Sequence, residues 1–146
     1  LIREKIYDGL APFFPSIKPF KNVQNTLRSF KDAGLKLALL SDFPPEQKGD
    51  LWGCKHLFDC ILGSETCGAL KPSAYPFGIL QRTLGVPAER ILYVGNNIRS
   101  DVKGARNAGM KTAYLTPLWR RILHKKPREA DICFKNYRQL CKIVLQ

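Results

Sequence analysis

Apolar residues along this chain gather into short runs, and longer stretches with one apolar stripe separate them. Lys36 to Leu40, Phe58 to Leu62, Ile91 to Val94, Thr112 to Leu115 and Ile132 to Phe134 each read as a short buried strand. Asn22 to Ala33 reads as a helix. It puts Val23, Leu27 and Phe30 on one stripe, with Asn22 placed to cap it and Gly34 to stop it. A second helix runs from a Ser73 cap to about Leu84, with Pro76 in its first turn and Gly85 just beyond. Asp101 to Ala108 and Asn136 to Val144 supply two more. Strands alternating with helices imply the α/β class, a parallel sheet with helices on both faces.

The intervening segments are less regular. Leu1 to Gly9 reads as the tail of a helix, and Pro12, Pro15 and Pro19 mark a connector after it. Pro44-Pro45 opens a polar, weakly helical stretch to His56. A basic loop follows Leu115.

In parallel α/β sheets, ligands sit beyond the carboxyl ends of the strands. The unit Ile91 to Thr116 therefore puts Asn96, Asn97 and Asp101 on the functional edge. An Asp there can hold Mg²⁺, which prefers oxygen ligands. Its plainer role is a helix N-cap, and the two are compatible. Ser41 ends the first strand, where its hydroxyl and the next backbone N–H suit a phosphate oxygen; alone, such a Ser is ordinary turn chemistry. Lys71, just before Pro72 at a helix start, is placed to neutralise a phosphoryl group, or else is a solvated loop lysine. Asp42 adjoins Ser41 and is a candidate for the same binding edge. It belongs to no Asp-x-Asp pair. His56 and His124 have no partner pattern.

Three of these segments carry a resemblance. Gly95-Asn96, four residues, Asp101, then Gly104-Ala105 and Gly109 resembles the fourth motif of the haloacid dehalogenase-like hydrolases, with Asn96 standing where the family has Asp. Leu37 to Asp42 resembles the second motif, and Lys71-Pro72-Ser73 the third, in the family's order. The first motif, an apolar strand ending in Asp-x-Asp whose first Asp is the nucleophile, occurs nowhere in the sequence. The resemblance implies a Rossmann-like core over residues 21–146, incomplete at its N-terminus, with residues 1–20 as a cap remnant or connector. It implies Mg²⁺-dependent hydrolysis of a small phosphate monoester. Ser41, Asp42 and Lys71 then bind substrate, with Lys71 also catalytic, and Asp101 and Asn96 lie on the metal side. Without the nucleophile the chain alone is expected to be inactive. The expected partners are a small phosphorylated substrate, and a second copy or an N-terminal segment completing the sheet. The start at Leu1 rather than Met agrees with such a segment. A phosphate-binding or interaction module without catalysis is the alternative.

Composition adjusts this picture at its margins. A chain of 146 residues with 45% hydrophobic content is one ordinary globular domain. No apolar run approaches the ~20 residues that cross a bilayer. The five cysteines form no pair of zinc spacing, which suggests reduced thiols in the cytoplasm. The net charge of +12 crowds toward Arg120, Arg121, Lys125, Lys126, Arg128, Lys135, Arg138 and Lys142. Nucleic acid is a third, weaker reading, because no aromatic RNA-binding signature or helix-turn-helix accompanies that charge.

Overall fold

The computed structural model describes residues 11–123 and 127–146. The expected helix tail at Leu1 to Gly9, His124, and the basic pair Lys125 and Lys126 lie outside them. The described chain begins with a 3₁₀ turn, Ala11–Ser16, in the region expected as a connector. Helix α1 (Val23–Asp32) leads to strand β1 (Ala38–Ser41), and two 3₁₀ turns lead to β2 (Cys60–Gly63). Helix α2 (Ala74–Leu84) precedes β3 (Leu92–Gly95). A π-helical turn, Ile98–Lys103, runs into α3 (Gly104–Asn107), then β4 (Lys111–Leu115) and α4 (Leu118–Ile122) follow. β5 (Ile132–Phe134) and α5 (Tyr137–Leu145) close the chain.

All five strands fall within two residues of their expected places, and every pairing is parallel. The sheet comes in two pieces, β1–β2 and β3–β4–β5. Ala38 pairs with Cys60 through Ser41 with Gly63, while Leu92 pairs with Lys111 through Gly95 with Tyr114. Among the described residues no ladder joins β1 to β3.

Two apolar clusters cover the two faces. One gathers Phe30, Leu37, Leu57, Ala113, Phe134 and Leu140 under α1 and α5. The other gathers Leu40, Phe77, Leu80, Leu84, Ala105 and Met110 under α2 and α3. Each cluster draws on both pieces, so side chains join what the backbone ladder does not. The Phe77 and Tyr93 rings meet edge to face, 4.9 Å between centroids. Gly104 makes room for this packing: a Cβ there would lie 2.7 Å from the Phe77 ring and 3.2 Å from Pro72 Cα.

Local signals held at several ends. Ser73 Oγ accepts the Tyr75 N–H, and Gly85 takes the left-handed conformation that stops α2. Asn22 is a correction. It precedes α1 with φ 68°, and its side chain makes no capping hydrogen bond. The expected basic loop after Leu115 also contains a short helix, α4. Asp101 is not an N-cap either. Asn97 takes that role, its side chain accepting the Ser100 N–H at 2.9 Å, while Asp101 lies inside the turn.

Candidate active site

The carboxyl ends of β1 and β3 converge on Lys71. β1 delivers Ser41 and, one residue on, Asp42; the segment after β2 delivers Ser64 and Lys71; β3 delivers Tyr93. The loop is fixed by Ser64, fully buried, whose Oγ lies 3.0 Å from Ser41 O and 2.5 Å from Asp42 Oδ1. Asp42 Oδ1 also accepts the Lys71 backbone N–H at 3.2 Å.

The Lys71 ammonium is 2.7 Å from Asp101 Oδ1, 3.9 Å from Asp42 Oδ2 and 3.4 Å from the Tyr93 hydroxyl. The Lys71 and Asp101 side chains keep only 10% and 9% of their exposure. Asp101 Oδ2 accepts the N–H groups of Asn96 at 3.1 Å and Asn97 at 3.0 Å. That carboxylate folds back onto the end of β3, and Gly95 admits it. A Cβ at Gly95 would lie 2.4 Å from Asp101 Cβ and 2.6 Å from its carboxylate carbon. Ser41 Oγ accepts the Phe43 N–H at 3.1 Å, which leaves its own O–H to donate.

Burial alone would lower the Lys71 pKa, but Tyr93, Asp101 and Asp42 outweigh it and hold it above the ordinary lysine value. Burial pushes the Tyr93 phenol up to about 12. The phenol is therefore neutral near pH 7, and there the pull on Lys71 comes from the two carboxylates. Burial, then the charge of Lys71, lowers the Lys48 pKa. Lys48 Nζ sits 5.0 Å from the Phe14 ring centre and 5.7 Å from that of Phe43.

Of the residues named from sequence, Ser41, Asp42, Lys71 and Asp101 come together here. Asn96 is exposed and joins through its backbone N–H. His56 takes no part. Sequence reasoning missed Ser64, Tyr93 and Lys48. Tyr93 left one signal, a hydroxyl-bearing ring in the middle of an apolar strand; Ser64 and Lys48 left none.

The described residues alone do not fit a Mg²⁺ site. No group of three His, Cys, Asp or Glu side chains gathers among them. Both Asp101 oxygens already serve Lys71 or backbone N–H groups.

A strand-end serine, a buried lysine held between carboxylates and an Asp folded under a glycine sit together at the carboxyl edge of a parallel α/β sheet. The family model of the haloacid dehalogenase-like hydrolases matches residues 2–115, and the chain belongs to that family. It is 36% identical over 102 residues to a glyceraldehyde 3-phosphate phosphatase of Methanopyrus kandleri, covering 68% of this chain and 44% of that one. It is 29% identical over 128 residues to a phosphoglycolate phosphatase of Mannheimia succiniciproducens, covering 86% and 57%. A haloacid dehalogenase-like phosphatase from Thermococcus onnurineus superposes with TM-score 0.83 at 25% identity, over 96% of this chain and 64% of that one. The chain thus spans about half the length of the curated relatives it matches. No helix among the described residues is long and apolar enough to cross a membrane.

Proposed function

We propose that this chain forms the phosphate-binding and charge-balancing part of a phosphatase acting on a small phosphate monoester, and is inactive alone. The observation behind this reading is the buried Lys71, fixed between Asp101 and Asp42 beside edges of β1 and β3 that have no strand partner among the described residues. Ser41 donates its O–H to a phosphoryl oxygen, and Lys71 neutralises it and the transition-state charge. Asp42 holds the Lys71 loop at the substrate edge. An apolar strand ending in Asp-x-Asp pairs with both free edges and brings the nucleophile. It comes from an N-terminal segment or from a second chain.

Mg²⁺ enters this reading only with carboxylates beyond the described residues. Asp101 and Asn96 form the protein wall on the metal side. The substrates in the names of the relatives, glyceraldehyde 3-phosphate and phosphoglycolate, are the first to try. The five free cysteines agree with a cytoplasmic home.

The test is phosphate release with Mg²⁺ and each substrate, from the chain alone and from the chain fused to an Asp-x-Asp strand segment. We expect release only from the fusion, abolished by Lys71→Met. Turnover by the chain alone at the fusion's rate would overturn the proposed inactivity. Inorganic phosphate binding to the chain alone, lost in Ser41→Ala, without turnover in the fusion, would favour the non-catalytic binding module.

A further inference from the structure

A basic cleft lies beside α3, walled by Pro72, Ile98, Arg99, Lys103, Asn107, Arg120 and Glu129. Its volume is about 510 Å³, within the range of small-molecule sites. Three cations face one carboxylate there. Glu129 is engaged: its Oε1 is 3.9 Å from Lys103 Nζ, and its backbone oxygen accepts from the Arg106 guanidinium. Arg99 and Arg120 are left to set the sign of the cleft.

Arg120 shows the cleft's preference most directly. Its Nε is buried from solvent and has no hydrogen-bond partner in the structure. With Nε closed off, an oxyanion in the cleft meets the part of the Arg120 side chain that lines its wall, where a charge-assisted contact is available. The guanidinium stacks on Trp119, 4.6 Å from its ring centre, which limits where its donors point. Lys71 and Asp101 serve a different center: their contacts run to Asp42, Tyr93 and the backbone at the end of β3.

We infer that this cleft is a second anion site, separate from the Lys71 center, which takes the phosphate or carboxylate group of a small molecule. Arg120 supplies the planar fork, Arg99 a second positive charge, and Asn107 a neutral polar wall. The inference does not depend on the chain being a phosphatase.

The experiment uses the whole chain at low salt, titrated with inorganic phosphate and separately with citrate, followed by ¹H–¹⁵N spectra that include the arginine Nε–Hε signals. Saturable shifts of Arg99 and Arg120 are expected with at least one anion. Arg120→Gln should weaken that affinity about tenfold, the loss of one charge-assisted contact. Arg120→Lys keeps the charge without the fork and should fall between. Lys71→Met should leave the affinity unchanged. Shifts that never saturate, equal affinity in Arg120→Gln and the parent, or loss of these shifts in Lys71→Met would each overturn the inference. A melting curve of each variant separates lost binding from lost folding.

Discussion

The two pieces of the sheet are built alike and end differently. At the amino edge each is tied by an aspartate preceding its outer strand. Asp59 accepts the Leu37 N–H at 2.8 Å in the β1–β2 piece. Asp131 accepts the Thr112 N–H and hydroxyl, both at 2.8 Å, in the β3–β5 piece. At the carboxyl edge the pieces diverge. The β1–β2 piece contributes Ser41 and Asp42, with 3₁₀ turns and a loop around them. The β3–β5 piece contributes Asp101 from a helical turn packed directly on the strand end. Neither piece holds Lys71 alone: Asp42 comes from one and Asp101 from the other. Where a central ladder would unify a parallel sheet, the two apolar clusters, one ammonium and one aromatic pair span the join. A weak further link is the Tyr93 hydroxyl, 3.5 Å from Leu40 O.

The largest effect should come from the aromatic pair. Phe77→Ala removes a fully buried ring lying under both pieces and should cost about 4 kcal/mol. Native-state hydrogen exchange should then show β1–β2 opening separately from β3–β5; a single cooperative opening at unchanged stability would contradict the join described here. Next comes the ion set. Lys71→Met strands Asp101 in a buried place and should cost about 3 kcal/mol by denaturant unfolding. Adding Asp101→Asn should restore part of it, and simple additivity of the two losses would show that they do not interact. Gly104→Ala pushes a methyl into Phe77 and should cost about 1–3 kcal/mol.

The smallest effects concern the two amino-edge aspartates. The Lys31 hydrogen bond, then the Leu37 N–H, holds Asp59 below the usual carboxylate range. The Thr112 hydroxyl, then its N–H, does the same for Asp131. A carboxyl lowered by folding favours the native state above its unfolded value. That contribution is lost as pH falls from about 4 through the lowered native value. Asp59→Asn and Asp131→Asn should each flatten the acid limb of a stability–pH curve. A curve unchanged below pH 4 would remove that aspartate from the account.

Much of this was legible beforehand because it is local. Short apolar runs mark strands, and Ser73 and Gly85 mark the ends of a helix whatever surrounds them. Ser41, Lys71 and Asp101 stand out in the sequence because their spacing matches three ordered motifs. What failed was what depends on distant partners. The α4 helix has Leu118, Trp119 and Ile122 exposed, so it lacks the one-sided stripe that announces a helix. Asn22 has the right side chain for a cap, but its backbone turned left-handed. The contacts of Asp101 with Lys71 and with two backbone N–H groups have no signature in spacing, since they depend on a turn folding back on its own strand. Ser64 and Lys48 reach the site only through tertiary structure.

The fold-back of Asp101 onto β3 binds two positions into one. A side chain at 95 and a carboxylate at 101 claim the same space, so Gly95→Ala should be tolerated only once Asp101 has been shortened, as in Asp101→Gly. Each change alone is harmful and the second is partly free after the first. Drift at this strand end is therefore confined to a narrow passage: the glycine cannot change until the aspartate has gone, and the lysine's charge then has to be met elsewhere.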